Sequence, residues 1–169
     1  MKTAPSDEKI TQLIRQLGSK DGNVRERART MLVAIGKPAV PKLMEILAHP
    51  KTIMRWEACK ALGSIKNPAS APSLVSALDD ENVDVQWVAA EALVALKAKA
   101  LAPLLSALTV HFDSLSLKQG ARHILRALQK EHLLNQRTLQ VLDTLRVFGP
   151  RVAIPIAAQK ALNSLQRSD

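Results

Sequence analysis

The side chains able to do chemistry are few and scattered. His49, His111, His123 and His132 share no spacing that would gather them as metal ligands. Cys59 is the one cysteine, so the chain has no disulfide framework and no second thiol for a zinc site. Arg55 and Lys60 near it on a helix would favour a thiolate, although a buried and inert thiol is the reading preferred here. No G-x-x-x-x-G-K-[ST] phosphate loop, G-x-S-x-G elbow or H-E-x-x-H helix occurs. No catalytic residue, metal or cofactor is therefore expected. What does recur is an aromatic side chain: the two tryptophans, Trp56 and Trp87, stand 31 residues apart.

That interval belongs to a repeat. Arg55-Trp56-Glu57-Ala58 through Leu62 returns as Gln86-Trp87-Val88-Ala89 through Leu93. A small residue recurs as Ala28, Ala58, Ala89, Ala121 and Ala158, and a leucine four later as Leu32, Leu62, Leu93, Leu125 and Leu162. An aliphatic residue follows three further on, as Ile35, Ile65, Leu96, Leu128 and Leu165. At about 100° per residue, Val24, Ala28, Met31, Leu32 and Ile35 share one helical stripe. A shorter apolar helix precedes each such helix, as with Val40, Leu43, Met44 and Leu47. One helix pair cannot bury its stripe alone, whereas stacked pairs can. The expectation is all-α: an α-solenoid of about five stacked helix pairs, one domain over 7–169, with residues 1–6 a flexible end.

Local signals set the boundaries. Ile10, Leu13, Ile14 and Leu17 give the buried face of the first helix, with Asp7 and Glu8 in its first turn. Gly36 reads as a C-terminal cap and Pro38 as an early helical position. His49-Pro50, Asn67-Pro68 and Gly149-Pro150 read as breaks, and Asp113 or Ser114 as a cap for the fourth long helix. Leu128 to Val147 spans seven residues more than Ile35 to Leu47, so an extended helix is expected near 129–137. The fifth long helix should begin near Ile154, with Pro155 in its first turn.

These motifs resemble HEAT repeats, specifically the short bacterial type associated with phycobilin lyases. The resemblance rests on Val24-Arg25 with Ala28 and Leu32, Met54-Arg55 with Ala58 and Leu62, and Val85-Gln86 with Ala89 and Leu93. Pro41, Pro72 and Pro103 match its proline in the first helix, and the likeness covers about residues 10 to 165. Departures are visible. The family's aspartate before the valine is present as Asp80, with Ser19, His49 and Phe112 in the matching places. The arginine becomes Gln86, Lys118 and Pro155, so the Asp–Arg ladder between repeats is incomplete. The resemblance implies that the second helices line a concave face.

On that face the position two after the valine points away from the core stripe: Glu26, Trp56, Trp87, Gln119 and Ile156. The position nine after it is also expected outward: Val33, Gly63, Val94, Arg126 and Asn163. Trp56, Trp87 and Val94 would then form an apolar line rimmed by Arg29, Lys60, Glu91, Arg122 and Arg126. Aromatic and arginine side chains are enriched among interface hot spots, so these residues are the candidate partner-binding set. The alternative is that each indole fills a gap between repeats.

Charge narrows the partner less. The chain of 169 residues carries a net charge of +9. Residues 1–66 hold 13 basic and 6 acidic groups, residues 67–108 hold 2 and 5, and residues 109–169 hold 9 and 4. An interrupted positive potential suits a solvated surface better than a track for a nucleic-acid backbone. No apolar run of membrane-spanning length and no secretory leader is evident, which favours the cytoplasm. The first function read from the sequence is a non-enzymatic scaffold docking a protein, peptide or helix. A second is nucleic-acid binding: Trp87 and Glu91 four residues apart, with Arg122 on the next helix, resemble the face of HEAT-like alkylpurine DNA glycosylases. A third, implied by the repeat type, is a phycobilin lyase subunit or a chromophore chaperone. Monomer or dimer is left open.

Overall fold

The computed structural model describes residues 7–145 and 152–166. Within them the chain forms ten α-helices and no strand. They are α1 Asp7–Gln16, α2 Gly22–Ile35, α3 Val40–Ile46, α4 Thr52–Ile65, α5 Ala71–Ser76, α6 Val83–Ala95, α7 Leu101–Val110, α8 Leu115–Lys130, α9 Gln136–Thr144 and α10 Ala153–Gln166. The helices α2, α4, α6 and α8 pack side by side as one row, and α1, α3, α5 and α7 back them. This is an α-solenoid. Its core is one continuous apolar cluster running through all the units.

Small residues set the spacing of the row. Ala28, Ala58, Ala89, Ala121 and Ala158 are fully buried, as are Leu32, Leu62, Leu93 and Leu125. At Gly63 the approach is closest: a Cβ there would lie 2.9 Å from Ala92 Cα. Position nine therefore faces the next helix more than solvent. Gly63 is buried, and Val33 and Val94 are half-buried against the core, so the outward reading of this position holds for Arg126 and Asn163 alone. Met31 corrects the other way and is 43% exposed. It occupies the place of the buried Ala61, Ala92 and Ile124, but α2 begins the row and no earlier helix covers it.

The helix ends follow local chemistry. Asp21, Asn82, Ser114 and Asn135 each accept a backbone N–H bond at the start of α2, α6, α8 and α9. Gly36 caps α2 with φ of 74°, a left-handed conformation that costs glycine little. Pro41 and Pro72 sit in the first turns of α3 and α5, where a backbone donor would have no helical partner. The helix expected over 129–137 is absent. The chain leaves α8 at Lys130, His132 takes φ of 57°, and Leu133 N–H bonds Leu128 C=O. That closing bond stops the helix before it can extend. Met1 to Ser6 and Gly149-Pro150 lie outside the described residues.

The last helix also departs from the repeat. The helix α10 starts at Ala153 with Pro155 in its first turn, yet it packs on α7 and α9 instead of continuing the row beyond α8. Ile156 is 53% exposed, but it is on this displaced helix and is no part of the Trp56–Trp87 line.

Ion pairs tie the loops to the row. Arg55 donates Nε–H to Asp80 Oδ2 at 2.7 Å and Nη2–H to Asp80 Oδ1 at 2.9 Å, while Nη1–H reaches the carbonyls of His49 and Pro50. One guanidinium thus pins its own loop and the loop of the next unit. The hydrogen bonds to Asp80 hold the Arg55 cation above its usual range, against the burial that lowers it. In the preceding unit Arg25 bonds the carbonyls of Ser19 and Lys20, and Glu57 on α4 supplies the missing acid to both Arg25 and Arg29. Gln86 keeps the loop bond, donating to Asp80 C=O at 2.7 Å, without a charge. Cys59 lies fully buried. Burial first, and then the Asp80 carboxylate, push its thiol up to about 12 from an ordinary 9.0. At neutral pH such a thiol is held protonated.

Three outcomes follow for stability. Gly63→Val should cost about 1–3 kcal/mol by overpacking, read from chemical denaturation. Arg55→Ala should cost about 3–5 kcal/mol because it strands buried Asp80, whereas Glu81→Gln, at an exposed carboxylate on the same arginine, should cost under about 1 kcal/mol. Cys59 should resist iodoacetamide at pH 8 until denaturant is added. Its folded-state pKa is the higher one, so its contribution to stability is complete below pH 9 and is lost as pH climbs towards 12.

Candidate binding face

The two tryptophans project from the same turn of α4 and α6, one register step apart, and they are not equivalent. Trp56 is half-buried and packs against the core, with Lys60 Nζ 4.5 Å from its ring centroid. Lys60 lies one turn further along α4, so its ammonium covers the indole face as a cation–π lid. Trp56 is thus the more covered of the two rings. Trp87 is 59% exposed.

Beside Trp87 the row opens into a cleft of about 220 Å³ between α6 and α8. Leu78 and Gly120 form its base, Trp87 and Ala90 one wall, and His123 the other. The base is tight because Gly120 has no side chain: a Cβ there would meet Leu78 Cδ2 at 2.9 Å. The His123 ring lies 4.8 Å from the Trp87 ring, tilted by 49°. His123 Nε2 and Glu91 Oε1 are 2.6 Å apart. Indole, imidazole and carboxylate thus form one chain of contacts across two helices.

The candidate set divides accordingly. Trp87 lines the cleft and Glu91 reaches its His123 wall, Val94 lies two turns beyond Trp87 on α6 and packs against the core, and Trp56 and Lys60 lie on the neighbouring α4. Arg126 is exposed on α8. Glu91 meets His123 and not Arg122, which is exposed. Helical geometry explains this: His123 and Gly120 face α6, and Arg122 sits about 100° round from His123 on the opposite flank. His123 escaped the sequence reading because it was weighed as a metal ligand. Its signal was register: it stands 32 residues after Glu91, at the same place on the next helix of the row. Among the described residues no group of His, Cys, Asp and Glu could hold a metal ion, and no helix is long and apolar enough to cross a membrane. A broader depression of about 550 Å³ lies on the other layer, between α5, α7 and α10.

Comparisons with known proteins agree with this geometry. A chain in the complex of CpcE and CpcF of phycocyanin lyase from Nostoc sp. PCC7120 is similar over 92% of this chain and 99% of its own, with 22% identity and a TM-score of 0.61. An engineered protein is similar over 97% of this chain and 87% of its own, with 20% identity and a TM-score of 0.49. At 22% identity the likeness to the CpcE–CpcF chain is one of fold. No curated protein matches the sequence. The family model for HEAT repeats matches residues 40–126, which is 87 of the 169 residues. With the recurring alanine–leucine stripe and the stacked helix row behind that match, the chain belongs to the HEAT-repeat family.

Proposed function

We propose that this HEAT-repeat scaffold is a non-enzymatic interaction module that docks a peptide or helix of a partner protein along the α4–α6–α8 face, with Trp87 as the main anchor. The exposure of Trp87 above the α6–α8 cleft carries the reading. A large indole left open to solvent in a protein with two tryptophans is the kind of residue that dominates binding energy once covered. The cleft is of a size to take one apolar side chain, with Glu91 beside it through its contact with His123, and Lys60, Val94 and Arg126 would contact the partner beyond the cleft. Trp56, half-covered by Lys60, would contribute less. The helices are held by a packed core, so little ordering entropy is lost when a partner binds.

Capture of partners from native extract, with and without nuclease, tests this. A discrete protein that survives nuclease is expected. Trp87→Ala should weaken its binding by about thirty-fold, the effect of losing about 2 kcal/mol, and Trp56→Ala by less. A captured protein indifferent to Trp87→Ala, or capture that disappears with nuclease, would remove the proposal.

A further inference from the structure

The row treats its two tryptophans in opposite ways. On α4, Trp56 is followed four residues later by Lys60, whose Nζ lies 4.5 Å from the ring centroid. On α6 the same register place after Trp87 holds Glu91. An indole face attracts a cation and not a carboxylate, so the repeat supplies a cation to the first ring and withholds it from the second. Glu91 is exposed and meets His123 through Oε1. Asp84, also exposed, lies one turn before Trp87 on the same stripe, and its carboxylate has no ion-pair partner among the described residues. The open ring therefore stands between two carboxylates. No lysine or arginine lines the cleft beside it, although the chain carries a net charge of +9. Asn82 and Ser114 cap the starts of α6 and α8 with their own side chains, and Asp84 adds a negative charge there, which disfavours an anionic occupant.

We infer that the segment docked at Trp87 is a basic amphipathic helix of another protein. One apolar side chain enters the α6–α8 cleft, and two lysines or arginines seven residues apart meet Asp84 and Glu91. The cation at Glu91 lies across the Trp87 ring as Lys60 lies across Trp56. This rests on the docking function proposed above and adds the chemistry of the occupant. Charge complementarity and spacing carry it. Asp84 and Glu91 are seven residues apart on α6, about 10 Å along its axis, and a helix laid beside α6 presents the same interval between its own positions. An extended segment would need partners for its backbone groups. Of the two amides that line the cleft, Gln86 and Gln119, the first already donates to Asp80 C=O. Leu78, Ala90 and Gly120 make the cleft surface apolar, which suits a leucine or methionine placed between the two cations.

The test uses the full chain, treated with nuclease, and fluorescein-labelled helical peptides of about four turns, each with one leucine on the docking face. Three forms carry lysine, glutamine or glutamate three residues before that leucine and four after it. The lysine peptide should bind at least about ten-fold tighter than the glutamine peptide, the scale of a cation held by an indole and a carboxylate, and the glutamate peptide should bind most weakly. A protein of net charge +9 attracts the glutamate peptide at long range, so the opposite order reports the local site. Glu91→Lys, which gives Trp87 the lysine that Trp56 has, should abolish the lysine preference in a chain that still unfolds cooperatively on heating. The milder Glu91→Gln and Asp84→Asn should each reduce it several-fold. Glu45→Gln, at an exposed carboxylate on α3, should leave it intact. Equal binding of the lysine and glutamine peptides, still weakened by Trp87→Ala, would overturn the inference and leave the docking face standing. So would tighter binding of the glutamate peptide. Lysine-peptide binding indifferent to Trp87→Ala, or a preference that survives both Glu91 variants, would place the peptide elsewhere and defeat the inference. Failure of every form to bind would also defeat it, with partner capture left to judge the docking face by itself. Concentration-dependent oligomers dispersed by the lysine peptide would put a second copy on this face instead, and a preference seen only when RNA is added back would mean a bridging polyanion; either result sinks it.

Discussion

The whole structure depends on how closely one helix of the row can approach the next. Gly63 against Ala92 shows the constraint at its tightest, with no space for even a methyl group between two backbones. That proximity lets the flanking leucines interdigitate and disappear from solvent, and burial of such side chains is the main favourable term available to this fold. The ion pairs depend on it in turn. Arg55 can reach Asp80 of the next unit only because the helices are close, and once there it is dry enough for its bonds to matter. The same spacing separates Trp87 from His123 and so sets the width of the cleft.

The repeat itself was legible because the alanine, leucine and aliphatic positions are fixed by packing on both sides, and packing leaves few alternatives. Helix starts were legible for a similar reason, since Ser114 and Pro41 act within a turn of where they stand. Position nine was misread because a helical wheel knows one helix and the direction to its core. It does not know where the neighbours are, and Gly63 is buried by α6, not by its own unit. Met31 shows the reverse error: a residue on the right stripe is still wet if the row has no member to cover it. The stop after Lys130 could not be seen, because His132 adopts a left-handed conformation that its residue type does not announce.

For the candidate site, direction was legible and environment was not. The wheel put Trp56 and Trp87 on one line, yet it could not separate a ring lidded by its own lysine from a ring standing open.

The docking of α10 on α7 changes what kind of object the protein is. A regular solenoid behaves as a linear chain of units, each sensing its two neighbours, and it can fray from either end one unit at a time. The first three helix pairs keep that character. At the other end, α10 reaches back over the intervening α8 and α9 to hold α7, so α7 through α10 close into a ring of mutual support. Loosening the C-terminal helix uncovers α7, and through it the backing of α8. The molecule thus joins an elastic half to a half that opens together or not at all, and the Trp87 cleft lies across the boundary between them.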